Sequence, residues 1–111
     1  MPVQGSIIRP YEKGVNDGII ISAPAGATVV AADAGTVAQI TRDTGEVNII
    51  VLRHEGNLLT VYAGVDDIAV SRGDSVSRGE KLAEIQAGPS PFLQFEVREG
   101  FDSTDPEAFF R

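Results

Sequence analysis

The chain has 111 residues, of which 42% are hydrophobic and 23% charged, and its formal net charge is -7 at pH 7. These values fit one globular domain and exclude a largely disordered chain, and no apolar run approaches the roughly 20 residues that a membrane helix needs. The nine lysines and arginines form no cluster and cysteine is absent, which argues against nucleic acid, an anionic membrane surface, disulfides and thiolate metal sites.

Short segments rich in β-branched residues follow one another along the chain, separated by turn residues. None of them has helical periodicity, so the pattern predicts an antiparallel all-β sandwich or barrel. Residues 47–52 are almost continuously apolar, which predicts a central strand covered on both faces. The predicted strands, in chain order, are Gly18–Ser22, Thr28–Ala32, Gly35–Thr41, Val47–His54, Leu58–Ala63, Lys81–Gln86 and Phe92–Arg98.

Glycine or asparagine at the predicted turns can supply a positive φ for tight hairpins. Residues 70–82 repeat the pattern Ser-Arg-Gly-acid with an apolar residue at matched offsets, which predicts two successive tight turns on the same core. Asp105, Pro106 and Glu107 predict the start of a short helix, which Phe109 and Phe110 could hold against the sheet. The hairpin turns are predicted at Pro24-Ala25-Gly26, Asp33-Ala34-Gly35, Asp43-Thr44-Gly45 and Glu55-Gly56-Asn57.

The titratable residues offer little chemistry by themselves. His54 is the only histidine, so a site that needs two histidines cannot form within this chain. It is either a general base or metal ligand, or a strand-end residue that bonds to a neighbouring turn, and the second interpretation is favoured because no second ligand lies at a recognisable spacing. Glu96 is either an acid catalyst or, more simply, an exposed or arginine-paired strand carboxylate.

The order and spacing of the segments resemble the LytM domain of lysostaphin-type zinc endopeptidases, which cleave peptide cross-links in bacterial peptidoglycan. The resemblance covers nearly the whole chain and implies one domain over residues 1–111. Its fold would be an antiparallel β-sandwich or barrel-sandwich of the duplicated-hybrid-motif kind with a short C-terminal helical turn. The matching segments are Asn16–Ile21, Ala23–Gly26, Val29–Val37, Asn48–His54, Thr60–Gly64, Val70–Leu82 and Phe92–Arg98.

The positions that form the zinc site in active members of that family are all changed in this chain. The first zinc histidine falls on Asn16, the zinc aspartate on Ile20, and the histidine after Tyr-Ala on Gly64. The two histidines of the His-Leu-His-Phe-Glu motif fall on Phe92 and Gln94. A zinc site needs about three nitrogen, sulfur or carboxylate ligands, so the resemblance implies a domain with no zinc, no other cofactor and no catalytic residue.

Degenerate domains of this kind are typical of envelope proteins that activate N-acetylmuramoyl-L-alanine amidases during cell division. By resemblance, we expect this chain to bind a regulatory segment of such an amidase in the vacated zinc groove. Gly64 is expected to leave open space there, so that a Gly64→Trp change would block the groove without unfolding the domain. The expected groove residues are Asn16, Ile20, Tyr62, Gly64, Phe92 and Gln94. For Tyr62 the alternative is an aromatic side chain packed on a strand with its hydroxyl bonded, and Phe92 could instead lie in the interior if a bulge intervenes.

The same resemblance predicts a location in the periplasm or cell envelope. The chain is expected to be the C-terminal domain of a longer envelope protein, with the signal peptide outside this fragment and without membrane insertion of the domain itself.

Other functions remain open at this point. The groove could bind peptidoglycan stem peptides directly and serve as a targeting module. An enzyme would need an unfamiliar metal set drawn from Asp17, His54 and Glu96. A biotinyl or lipoyl carrier lacks the required lysine in the turn at 87–90, and a sugar-phosphotransferase carrier lacks a histidine pair.

Overall fold

The computed structural model describes residues 1–42, 47–100 and 102–109. Within these residues the chain forms ten β-strands, one short α-helix, α1 (Pro106–Phe109), and a 3-10 turn at Glu55–Asn57. The strands are β1 (Ser6–Arg9), β2 (Ile19–Ser22), β3 (Thr28–Val30), β4 (Gly35–Thr41), β5 (Asn48–Arg53), β6 (Leu58–Asp66), β7 (Ser75–Val76), β8 (Lys81–Ile85), β9 (Phe92–Glu99) and β10 (Asp102–Thr104).

The seven predicted strands are confirmed as β2–β6, β8 and β9, with ends that differ by at most three residues. The sequence pattern missed β1, β7 and β10. These strands are only two to four residues long, too short to show a repeating pattern, although Val76 of β7 is buried in the core and Ile7 of β1 packs against it. Alternation of apolar residues therefore cannot mark them.

All strand pairs are antiparallel, which confirms the predicted fold class. The main sheet follows the order β1-β2-β9-β6-β5-β4-β7, and β10 pairs with β9. β3 pairs with β8, and β8 pairs with the end of β6. Through this last pairing the small β3–β8 layer is continuous with the main sheet.

One cluster of buried apolar side chains joins the two layers. Val29 of β3 and Leu82 of β8 belong to the same cluster as Ile50 of β5 and Phe95 of β9, and each of them is 0% exposed. The Tyr62 and Phe95 rings pack within this cluster, with centroids 5.2 Å apart and planes inclined by 53°. Aromatic pairs prefer tilted arrangements of this kind. The core therefore lies between the main sheet and the β3–β8 layer.

The opposite face of the main sheet is open to solvent. β5 lies centrally between β4 and β6 as predicted, but only Ile50 and Leu52 are buried, while Ile49 and Val51 are partly exposed. The expectation of cover on both faces is thus wrong for β5, because the second layer covers one face only. We call the other side the open face; its half-buried side chains include Ile20, Ile49, Val51, Val61, Phe92, Gln94 and Glu96.

The two predicted repeat turns are confirmed, and each docks on a strand backbone. The Gly73 amide donates to the Val37 carbonyl at 2.8 Å, and the Gly79 amide donates to the Ala31 carbonyl at 2.8 Å. In each turn the acidic residue, Asp74 or Glu80, accepts the amide of the serine three residues earlier, at 2.8 and 3.0 Å. These turns therefore close one end of the core.

The C-terminal helix begins as predicted. The Glu107 amide donates to Asp105 Oδ1 at 3.0 Å, so Asp105 caps α1 ahead of Pro106. The turn predicted at 43–45 and the packing predicted for Phe109 and Phe110 lie outside the described residues and side chains. Among the helices of the described residues, none has the length and apolarity that a membrane crossing requires.

Candidate functional site

The pairing of β2 with β9 brings three of the predicted site residues together. Ile20 lies directly opposite Gln94, and Asn16 precedes β2 in a loop where its side-chain amide donates to the Pro10 carbonyl at 3.3 Å. These three residues share one depression of about 380 Å³, which we call the polar depression. Its other lining residues are Arg9, Val15, Asp17, Gly18, Glu96 and Arg98.

Ile20 also borders a second, apolar depression of about 630 Å³. Phe92 lies in this apolar depression, as does Ile8, whose side chain is 64% exposed. Pro89, Ser90 and Pro91 form its wall, and none of the described residues that line it is charged. Ile20 thus joins a polar space to an apolar one.

Gly64 and Phe92 line a third depression of about 270 Å³, together with Val47 and residues 86–91. Since Phe92 belongs to both the second and the third, and Ile20 to both the first and the second, the three depressions form one continuous surface. We call this surface the groove. It contains five of the six predicted residues: Asn16, Ile20, Gly64, Phe92 and Gln94.

Tyr62 is not part of the groove, and its prediction as a groove residue is corrected. It lies opposite Phe95, so its ring faces the core, and it is 0% exposed. Its hydroxyl accepts the Ala32 amide at 3.0 Å and lies 2.9 Å from the Thr60 hydroxyl. A side chain held in this way cannot contact a partner at the surface.

His54 belongs to the same buried polar chain. Its Nδ1 lies 2.7 Å from the Ala34 carbonyl oxygen and its Nε2 lies 2.7 Å from Thr60 Oγ1. The favoured interpretation, a strand-end histidine bonded to a neighbouring turn, is confirmed. The chain from Ala34 through His54, Thr60 and Tyr62 to Ala32 ties the β3–β4 turn to β6.

Burial raises the pKa of the Tyr62 phenol from its ordinary value of 10.0 to about 12. The unfolded chain therefore loses this proton near pH 10, whereas the folded chain keeps it. Stability rises with pH only where the unfolded state binds more protons; here it binds fewer, so the free energy of unfolding falls between pH 10 and 12.

We expect Tyr62→Phe to lower the free energy of unfolding at pH 7 by about 1–3 kcal/mol, because the part-buried Ala32 amide and the buried Thr60 hydroxyl both lose their acceptor. The deficit should shrink above pH 10 by up to about 1.4 kcal/mol per pH unit, because the variant has no phenol to ionise. Urea unfolding of both proteins at pH 7 and pH 11 checks this, and an equal deficit at both pH values would contradict it.

Gly64 lies in a backbone irregularity, and backbone occupies the place that its Cβ would take. Asn48 pairs with Val65 while Ile49 pairs with Ala63, so Gly64 is the extra residue of a β-bulge. Its φ is +99°, and an added Cβ would lie 2.7 Å from the Phe92 carbonyl oxygen. The expectation that Gly64 accepts a large side chain is therefore wrong, because backbone already fills that position.

Glu96 is the arginine-paired carboxylate of the simpler interpretation. Arg98 Nη2 lies 2.7 Å from Glu96 Oε1 and 3.7 Å from Asp17 Oδ2. Asp17 Oδ1 also accepts the Ser103 hydroxyl at 3.3 Å. The Arg98 guanidinium thus pairs with both carboxylates at the polar end of the groove.

The metal set of Asp17, His54 and Glu96 does not come together. His54 points to the core side with Thr60, whereas Glu96 lies on the open face beside Arg98. Over residues 1–42, 47–100 and 102–109, no group of three or more histidine, cysteine, aspartate or glutamate side chains could hold a metal ion.

Comparison with known proteins places this geometry in a family. Residues 14–106 match the family model of peptidase family M23. The chain belongs to peptidase family M23. The predicted resemblance to a LytM domain is thereby confirmed over most of the chain.

Several relatives share this M23 domain. The uncharacterized lipoprotein YgeR of Escherichia coli (strain K12) is 36% identical over 110 residues, 95% of this chain and 44% of YgeR. Murein hydrolase activator NlpD of the same organism is 30% identical over 110 residues, 95% of this chain and 29% of NlpD. Cell division protein DipM of Caulobacter vibrioides is 30% identical over 105 residues, 87% of this chain and 17% of DipM. The chain spans less than half the length of each.

Solved structures share the fold of the M23 domain. Helicobacter pylori Csd3 in its hexagonal crystal superimposes with a TM-score of 0.90 at 23% sequence identity, over 100% of this chain and 32% of Csd3. This likeness concerns the fold alone.

The side chains of this M23 domain do not fit the zinc site that the family resemblance implies. At the positions of the ligands, Asn16 and Gln94 offer neutral amides, and Ile20 offers no donor atom. The nearby carboxylates of Asp17 and Glu96 already engage Arg98. Zinc in proteins is bound by imidazole, thiolate or carboxylate groups, so the donor set of the polar depression suits hydrogen bonding rather than metal binding.

Two parts of the groove were not predicted from the sequence. Ile8 and the Pro89–Pro91 segment form the wall of the apolar depression. No distinct sequence signal marked them, because the uncharged stretch from Gln86 to Phe95 is shorter than the uncharged stretch at residues 18–32. Gln86 Oε1, at the third depression, is buried and has no hydrogen-bond partner within the described part of the chain.

Proposed function

We propose that this M23 domain is a non-catalytic regulator that binds and activates a peptidoglycan N-acetylmuramoyl-L-alanine amidase through its groove. One observation carries the proposal: the residues at the zinc-ligand positions, Asn16, Ile20 and Gln94, line a single solvent-open depression that continues into an apolar one. A groove of this kind, apolar with a few convergent polar groups, is suited to holding a peptide segment.

The names of the relatives support a role in peptidoglycan remodelling. NlpD is a murein hydrolase activator and DipM a cell division protein. YgeR is a lipoprotein, and we accordingly propose that this domain acts in the cell envelope. The proposal extends these roles to the part of those proteins that the chain matches.

Activation can follow from binding alone. If an amidase exchanges between a closed and an open form, a domain that binds only the open form shifts the population toward it. A differential affinity of about 3 kcal/mol changes the open-to-closed ratio by roughly 150-fold. No catalytic group from this chain is needed for that effect.

The polar depression favours a second candidate function, direct binding of peptidoglycan stem peptides. Two carboxamides, Asn16 and Gln94, lie next to Arg9 and Glu96, and these groups could bond to the amides and charged ends of a short peptide. The domain would then target a larger protein to the cell wall without changing amidase activity.

Two binding measurements separate these candidates. Calorimetry of the chain with the purified amidase of the same organism should show a one-to-one complex under the first proposal. Co-sedimentation with purified sacculi should retain the chain under the second. Retention on sacculi without any complex with the amidase would overturn the first proposal.

A further inference from the structure

Gln86 carries a buried hydrogen-bond acceptor that the fold leaves unpaired. It follows β8 directly, and its backbone amide donates to the Gly64 carbonyl at 3.0 Å, which fixes its position beside the bulge. The side chain lines the third depression, and its Oε1 is buried with no hydrogen-bond partner among the described residues. A buried acceptor without a donor destabilises the folded chain, so the fold alone does not account for this residue.

The depression around this acceptor is small and mostly apolar. Its volume is about 270 Å³, and none of the described residues that line it is charged. Phe92 lines it, as does Val47, which is 43% exposed although it is apolar. Concave sites with apolar walls and a few polar atoms that fix orientation are typical of ligand-binding sites.

The chemistry of the depression narrows the class of its occupant. A charged side chain would lose its hydration there without gaining a counter-charge. An aliphatic side chain would leave Gln86 Oε1 unpaired, and a tyrosine hydroxyl would bring an acceptor of its own. The indole of tryptophan is apolar apart from one N–H, which only donates. It can therefore pair Oε1 and leave no polar atom of its own unpaired.

Oε1 can reach such a group without a change in the backbone. The Gln86 side chain is half-buried as a whole, and the terminal torsion of a glutamine side chain is broad. A turn about this torsion moves Oε1 from its covered position toward the depression, while the bond from the Gln86 amide to Gly64 stays in place.

We propose that the third depression binds a tryptophan side chain of the partner, with the indole N–H donating to Gln86 Oε1 and the ring packed against Phe92 and Val47. Tryptophan is enriched among the residues that dominate binding energies at protein interfaces, and its ring forms offset or tilted pairs with phenylalanine. This inference rests on the proposed function, since the tryptophan is taken to belong to the amidase segment in the groove.

Indole and 1-methylindole test the depression without the amidase. In an NMR titration the wild-type chain should bind indole with a dissociation constant of about 1 mM. It should bind 1-methylindole at least about threefold more weakly, because the methyl group replaces the donated hydrogen. The preference for indole should disappear in Gln86→Met. No binding of indole, no preference in the wild-type chain, or the same preference in both chains would overturn the inference.

The stability of Gln86→Met shows whether Oε1 is paired in the free chain. Methionine has a similar length and no carboxamide, so the melting temperature should rise by about 4 °C when the unpaired acceptor is removed. Gln39→Met is the matched control, because Gln39 is exposed on β4 and lines none of the three depressions. It should leave the melting temperature unchanged. A melting temperature of Gln86→Met at or below that of the wild-type chain would overturn the inference.

Calorimetry with the purified amidase of the same organism completes the test. Gln86→Met should bind the amidase about tenfold more weakly than the wild-type chain, and Gln39→Met should bind within about twofold of it. If the amidase does not bind the wild-type chain, the proposed function fails and this inference with it. If the amidase binds the wild-type chain and Gln86→Met equally, only this inference is overturned.

Discussion

Replacement of Gly64 by alanine is expected to lower the free energy of unfolding by about 3 kcal/mol, the sum of a left-handed backbone cost and a steric clash. The residue has a φ of +99°, and its new Cβ would lie 2.7 Å from the Phe92 carbonyl oxygen. That oxygen belongs to the backbone of a strand in the middle of the sheet, so it cannot move without disturbing the pairing of β9.

Gly26→Ala is the matched control for this change. Gly26 has a similar φ of +83°, but apart from its two chain neighbours no atom of the described residues lies within 4 Å of the added Cβ. It should therefore lose only about 1–2 kcal/mol, from backbone conformation alone. Urea unfolding of both variants measures the difference, and equal losses would show that the contact with Phe92 has no cost. A tryptophan at position 64 is accordingly unsuitable as a probe of the groove.

Substitution of three residues in the polar depression by the zinc-binding residue types of the active family members is expected to create a metal site. The variant Asn16→His/Ile20→Asp/Gln94→His places two imidazoles and one carboxylate in a single depression, with positions 20 and 94 directly opposite each other. Directly opposed Cβ atoms lie about 4.5–5.5 Å apart, close enough for both side chains to reach one ion. We expect a dissociation constant for zinc of about 1 μM or lower, which is about 8 kcal/mol of binding free energy.

A second variant with the same ligand types tests the geometry. In Asn16→His/Ser22→Asp/Gln94→His the carboxylate moves two residues along β2, opposite Phe92 instead of Gln94. Competition against a chromogenic chelator should show tight zinc binding in the first variant and weak binding in the second. Equal affinities would mean that the family's ligand geometry is not retained in this scaffold.

The side chains of β9 follow simple strand alternation. Leu93, Phe95 and Val97 are buried and Phe92, Gln94 and Glu96 are half-buried, because successive side chains of a strand point to opposite faces whatever it pairs with. The face of each residue in a regular strand could thus be read from the sequence.

The position of Tyr62 could not be read in the same way. It is close in sequence to Gly64, which lines the groove, but it pairs with Phe95 and lies on the core side. The bulge at Gly64 breaks the alternation between them. Its presence depends on how β5 and β6 align, which is a property of the pair of strands rather than of either sequence.

Ile8 was missed for a related reason. It lies on an edge strand that pairs with β2 through the backbone. The short sequence of this strand has no apolar alternation that would predict a buried face. Its part in the apolar depression depends on the nearby loop at Pro89–Pro91, which is about 80 residues away in the chain. Contacts of this kind follow from the fold and not from local sequence.

Activation of an amidase through the groove of this M23 domain is tested by the rate at which that amidase hydrolyses peptidoglycan. The purified amidase of the same organism is assayed on labelled sacculi alone, with the wild-type chain, and with Phe92→Asp. Phe92 is half-buried on the open face, so this change should leave the fold intact while placing a charge in the apolar depression. We predict a large increase in rate with the wild-type chain and little or none with Phe92→Asp. No increase with the wild-type chain, or the same increase with the folded variant, would show that the groove does not activate the amidase.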